Sequence, residues 1–195
     1  MLNPFEQFKH DIADTLKQNL SEALTYHGFH HTLEVLANAN EICTHEAVSA
    51  HEQRLLQTAV WLHDTGFMYG YAHHEERGCE LARKLLPQYA YSEKEIELIC
   101  GLIEATKIPQ QPKTRLQNII ADADLMYLGT PQYAPIADTL WQELTHFTKL
   151  SSGAEWINIQ IKFLEHHRYH TAYCQLKYEP VKQQNLMQLK EIQAQ

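Results

Sequence analysis

The amino-acid sequence predicts an all-α protein, and three features carry that expectation. Apolar residues recur mostly at three- and four-residue intervals, which is the helical period. Seven glycines and seven prolines in 195 residues leave little material for the many tight turns of a sandwich or barrel. Serine or threonine followed three residues later by glutamate or glutamine, the spacing of a helix-start capping box, occurs before three of the apolar stripes. No stretch alternates in the strand period, and no internal repeat or low-complexity linker breaks the pattern. Eight or nine helices in one domain over residues 1–195 are expected.

Taken in order, Phe5, Phe8, Ile12, Leu16 and Leu20 form the first stripe. His31, Val35, Asn38 and Ile42 share a face of the second helix, and Leu55, Leu56, Ala59, Val60 and His63 share a face of the third. The fourth runs from about Glu75 to Leu86 and stops at Pro87, whose ring cannot continue a helix. Ser92 with Glu95 opens the stripe Ile96, Ile99, Ile103. Thr114 with Gln117 opens Leu116, Ile120, Asp124 and Tyr127, a helix expected to end near Gly129-Thr130-Pro131. Ile136, Leu140, Leu144 and Phe147 follow, then Ser152 with Glu155 opens Trp156, Ile159 and Phe163. A last amphipathic segment starts near Pro180 and carries Val181, Leu189 and Ile192.

The composition, 44% apolar and 21% charged, is ordinary for a soluble protein. A formal charge of −8 with no basic run argues against a dedicated nucleic-acid or anionic-membrane surface. A phosphate ester can still be bound where a metal supplies local positive charge. Cys43, Cys79, Cys100 and Cys174 form no CxxC pair, so buried free thiols are expected rather than a zinc knuckle or disulfide framework. Met1–His10 carries Glu6 and lacks an apolar core, so no signal peptide is expected. No apolar run approaches the ~20 residues that cross a membrane. The expected location is the cytoplasm.

Among thirteen histidines, placement rather than number carries information. His63 continues an apolar face, so its imidazole points inward, and Asp64 follows at the helix end before Thr65-Gly66. A carboxylate there faces the negative end of the helix dipole and is retained where a cation compensates it, or where it merely caps the turn. His31 shares the inward face of Val35, and Asp124 lies one turn after Ile120. Two histidines and two aspartates from these segments supply a mixed nitrogen and oxygen set, suited to an octahedral ion with open positions.

The strings YHGFHHTLEV, AVWLHDTGF and IIADADLMYLG, in that order, resemble the H…HD…D signature of the HD-domain phosphohydrolase superfamily. The similarity covers about residues 21–129, with about 130–195 as a helical extension. The resemblance implies an HD-domain helical bundle with additional C-terminal helices and one divalent ion (Mn, Mg, Fe, Co or similar). It implies hydrolysis of a phosphoester, often of a nucleotide. Carried over, the implied ligands are His31, His63, Asp64 and one of Asp122 or Asp124. Residues two positions apart on a regular helix project about 200° apart, and Asp124 falls on the core side. Asp124 is therefore the expected ligand, and Asp122 is expected at the flank, accepting a hydrogen bond or solvated.

His74 and Gly78 are similar to an H-x-x-x-G element of some HD families, and His74 is expected to give a proton to the leaving oxygen while Asp64 activates water. GLIEATKIP, in contrast, carries Thr106 and Lys107 where two-metal branches are expected to place another histidine, so a single ion is expected. Lys107 and Arg77 are the expected phosphate contacts, with Arg77 equally able to pair with Glu76 or Glu80. His27, one turn before His31, is expected to face substrate or to support a ligand, or else to belong to the helix-start turn Tyr26-His27-Gly28. No GxSxG elbow, reactive-cysteine setting or Walker glycine loop offers another chemistry. The extension is expected to pack peripherally, with His166 and His170 holding no metal. A sensory or ligand-binding HD module with little catalysis is the alternative reading.

Overall fold

A computed structural model describes residues 3–194, so Met1, Leu2 and Gln195 lie outside the described residues. Ten α-helices and three short 3-10 turns make up the described chain, without strands. The helix beyond the expected eight or nine is the short Ala172–Lys177 segment, where the sequence marks no apolar stripe. The helices are α1 (Pro4–Asn19), α2 (Phe29–His45), α3 (Ala50–Leu62), α4 (His74–Leu85), α5 (Glu93–Glu104), α6 (Arg115–Asp124), α7 (Tyr133–Phe147), α8 (Gly153–His166), α9 (Ala172–Lys177) and α10 (Glu179–Gln193).

Local chemistry sets the helix starts. Asn3 accepts from the Glu6 amide at 2.9 Å ahead of Pro4. Ser92 and Glu95 form a reciprocal capping box at α5, and so do Ser49 and Glu52 at α3, a start that the sequence reading did not single out. Thr114 and Ser152 each accept from the third amide of the helix they open.

Helix α3 is the axis of the first core. Leu55, Leu56, Ala59, Val60 and Leu62 are buried among Phe8, Ile12, Ile42, Ile99, Ile103 and Ile120 from the surrounding helices. A second core joins Leu128, Tyr133, Ala137, Ile161, Leu164, Leu186 and Leu189 from the chain after α6. Three contacts dock this second half. Glu41 of α2 accepts from the hydroxyls of Tyr173 and Tyr178 and pairs with Lys177. Asn185 donates to the Leu128 carbonyl at 2.9 Å. Gly129 permits the third, since a Cβ there would lie 2.3 Å from the Tyr178 carbonyl oxygen.

The helix expected to run to Gly129 stops at Asp124, and Met126–Gly129 continues as a 3-10 turn. The carbonyls of Leu125 and Met126 freed by this break accept from the Tyr169 hydroxyl at 3.3 and 3.1 Å. The partner that satisfies the broken end comes from 43 residues downstream, beyond any local pattern. All four cysteines are buried and free. Among the described residues no helix is long and apolar enough to cross a membrane.

Candidate metal centre

Helix α3 carries His63 at its C-terminal end, where Nδ1 donates to the Val60 carbonyl at 2.7 Å. A carbonyl only accepts, so Nδ1 holds a proton and Nε2 is the atom left to face the cluster, with its lone pair free when the ring is neutral. That atom lies 3.2 Å from Asp64 Oδ2 and 3.7 Å from Asp124 Oδ1. Helix α2 brings in His31, whose Nε2 is 3.0 Å from Asp124 Oδ1 and 3.6 Å from Asp64 Oδ2. One donor atom each from His31, His63 and Asp124 fall within 4.8 Å of one another. His63 is 1% exposed and Asp64 4%.

The donor set fits a cation. Both His63 Nε2 and Asp64 Oδ2 are buried without a hydrogen-bond partner, a costly arrangement for an empty polar cluster. The electrostatics agree. Burial alone would strip His63 of charge, yet the Asp64 and Asp124 carboxylates raise its pKa to about 9. Against its own burial, Asp64 is held far below the usual carboxylate range, chiefly by His63. The pocket stabilises positive charge at this point, as a proton or as a metal ion.

Gly66 lets the turn after Asp64 press against the start of α4, because a Cβ would lie 1.9 Å from the His74 carbonyl oxygen. His73, in the left-handed region at φ 57°, swings the chain into α4 and is itself exposed. His74 then faces back, with Nε2 3.7 Å from Asp64 Oδ1. Its ring stacks on Phe67 at 4.1 Å, and His27 stacks near Phe67 at 4.4 Å. Burial lowers the His74 pKa, so this ring is mostly neutral near pH 7.

His27 is held by a residue that sequence reasoning missed. Glu143 of α7 is fully buried and accepts from the Tyr26 and His27 amides at 2.9 Å each, from the Tyr71 hydroxyl at 3.0 Å and from His27 Nδ1. Burial works against both charges. The pair nevertheless raises the His27 pKa and lowers that of Glu143, each partner stabilising the other's charged form. The only signal in the sequence is a glutamate beside Leu144 in an apolar stripe, which reads equally as the solvated edge of the helix.

Three expectations need correction. Asp122 is neither at a flank nor solvated. It is fully buried, stands outside the donor cluster, and accepts from the His170 and Thr171 amides and the Thr171 hydroxyl at 2.7–2.8 Å. Arg77 packs over Gly70 and lines a separate cleft with Tyr69, Glu80, Leu81 and Lys84, away from the donor cluster. The extension is not peripheral, since α7 supplies Glu143 and α7 with α8 wall the cavity that Asp64 and Asp124 line. Lys107 does reach the rim of that cavity, where it pairs with Glu76. His166 is exposed, and its Nδ1 donates to the Lys162 carbonyl within α8.

An all-α bundle that gathers histidine and aspartate donors at the end of its central helix has the makings of a metal-binding helical domain. The HD domain family model matches residues 28–126, just over half of the chain. The chain belongs to the HD domain family, within the metal-dependent phosphohydrolase superfamily. The matched segment contains His31, His63, Asp64 and Asp124, while Glu143 and the cavity walls from α7 and α8 lie beyond it. No curated protein and no solved structure matches the chain.

Proposed function

We propose that the protein hydrolyses a phosphoester of a small molecule, with His31, His63, Asp64 and Asp124 holding one divalent ion. The observation that carries this reading is the pair of buried, unpartnered atoms, His63 Nε2 and Asp64 Oδ2, in a cluster whose aspartates line an open cavity. The mixed nitrogen and oxygen set suits Mn, Mg, Fe or Co in a site with open positions. Such an ion, when bound, acidifies water and neutralises phosphoryl charge.

The protein's own groups then divide the work. Asp64 turns Oδ2 to the donor cluster and Oδ1 toward His74, so it orients the attacking water and draws off its proton. His74, neutral near pH 7, hydrogen-bonds the leaving oxygen through its N–H. His27, fixed by Glu143 and packed against Phe67 beside His74, contacts the phosphoryl group. Lys107 meets an outer phosphoryl oxygen when it leaves Glu76. A nucleotide is one phosphoester of this kind. Four free, buried thiols are in keeping with a reducing cytoplasm.

The test is metal analysis of protein purified without chelators, followed by a phosphoester panel assayed with each candidate ion. A bound divalent ion and turnover of at least one ester are expected. An ion without turnover favours the ligand-binding HD module, and neither ion nor turnover overturns the site.

A further inference from the structure

We infer that the substrate is the monophosphate ester of a predominantly apolar alcohol, whose carbon skeleton lies in the half of the cavity walled by α7 and α8. The inference rests on the phosphohydrolase reading above and adds the substrate class.

The cavity, of about 510 Å³, has two chemically different ends. Asp64, Asp124, His27 and His74 stand at one. Leu128, Leu140, Leu144, Trp156, Ile159 and Phe163 make up much of the other. That size and lining suit a small organic ligand held by carbon contact, with a few polar groups fixing one end.

Charge limits the phosphate part. Asp64, Glu75 and Asp124 are carboxylates on the cavity wall, and Lys107 is the one lysine or arginine among the described lining residues. Its side chain is 46% exposed and already paired with Glu76. A nucleoside di- or triphosphate would add three or four negative charges to a wall whose three carboxylates already match one divalent ion and a rim lysine. A single phosphoryl group adds at most two, the smaller excess for this wall to hold.

The polar inventory limits the rest of the molecule. At the distal end the Tyr133 hydroxyl donates to Gln160 Oε1 at 2.7 Å, so these two groups satisfy each other. Trp156 Nε1 is left as a buried donor without a partner. A nucleobase and ribose bring many donors and acceptors, and each one buried against this wall without a partner is penalised. An apolar skeleton leaves none unpaired. At the mouth, Ile108 and Ile159 are 51% and 41% exposed, so the entrance is itself partly apolar.

The reaction balances as hydrolysis. The oxygen of water bonds to phosphorus, the bond from phosphorus to the alcohol oxygen breaks with its electron pair on that oxygen, and the alcohol oxygen takes a proton. Free alcohol and inorganic phosphate result.

The experiment uses the full chain loaded with Mn²⁺ and a series of alkyl monophosphates from ethyl to octyl, with 1-naphthyl phosphate, AMP and ATP. In parallel, alkylphosphonates of the same lengths are titrated calorimetrically, which reads binding without turnover. We expect kcat/KM and phosphonate affinity to climb together, roughly threefold to fourfold per methylene over the first carbons. Octyl and naphthyl phosphates should exceed AMP by about tenfold or more, with ATP poorer still, and Ile159→Lys should flatten the climb. A flat series, or preference for AMP or ATP, overturns the inference and leaves the phosphohydrolase reading standing. Absence of turnover with every ester sinks the phosphohydrolase reading. The phosphonate titrations then decide the cavity's occupant alone, a steep dependence on length supporting an apolar skeleton and no dependence overturning it.

Discussion

His63 and Asp64 meet at the end of α3 through atoms that have no other partner, so the two side chains stand or fall together as a cation site. His63→Ala and Asp64→Ala should each abolish retention of the divalent ion and with it hydrolysis, while far-ultraviolet circular dichroism stays close to that of the parent. Full metal occupancy in both variants would remove the site. The two aspartates of α6 should separate cleanly. Asp124→Asn loses the charge that faces His31 and His63, and metal titration should show a large fall in affinity. Asp122→Asn should keep the ion, because its carboxylate serves His170 and Thr171 instead. It should lower stability by about 2 kcal/mol, the scale of hydrogen bonds to a buried charged group, measured by urea unfolding. Inversion of the two results would exchange their roles.

Among the elements, α7 does more for the site than its place outside the matched family segment implies. It carries Glu143 under the chain entering α2, where one carboxylate satisfies two amides and orients His27. Glu143→Ala leaves those buried groups unpartnered and should cost roughly 2–3 kcal/mol of stability. It should also lower kcat/KM through His27. Glu143→Gln keeps the acceptor but not the charge. It should recover most of the stability and less of the activity, with a shifted acid limb in the pH profile. Equal recovery of both would reduce Glu143 to packing. Tyr169, in the loop before α9, and Asn185 of α10 act at longer range, by holding the broken end of α6 and the turn that follows it.

For the molecule as a whole, an ion bound only by the native state adds stability. At a hundred times its dissociation constant the gain is about 2.7 kcal/mol. For a chain of this size that is roughly a 5–10 °C rise in Tm, reversed by chelator and absent in His63→Ala. A scan that shows no such difference speaks against a native metal site. Acid should act through the second core. Burial first, then the nearby Lys182 ammonium, depresses His167 from 6.5 to about 3. Between those values the unfolded chain binds a proton that the native chain does not. The histidine's contribution is therefore complete above about pH 6.5 and is lost progressively as pH falls toward 3. Urea midpoints of chelator-treated protein between pH 7.5 and 5 should fall less steeply in His167→Leu than in the parent, and equal slopes would exclude the effect.

The sequence by itself determined the all-α class, several helix starts and the inward face that carries His31, His63 and Asp124. These depend on periodicity, capping and the nearness of His63 to Asp64, all of which act within a few residues. The ordered motifs also led to the family that residues 28–126 show. Tertiary structure alone decided where α6 ends, because the groups that satisfy its freed carbonyls come from Tyr169. It decided that Asp122 is buried under His170 and Thr171, that Arg77 turns away from the cavity, and that Glu143 reaches His27 across more than a hundred residues. It also turned a nominal extension into the apolar half of the cavity. A helical stripe says which side of a helix is buried, but not against what. A buried carboxylate is stabilised by whichever donors the packed chain brings to it, and those donors have no fixed spacing along the sequence.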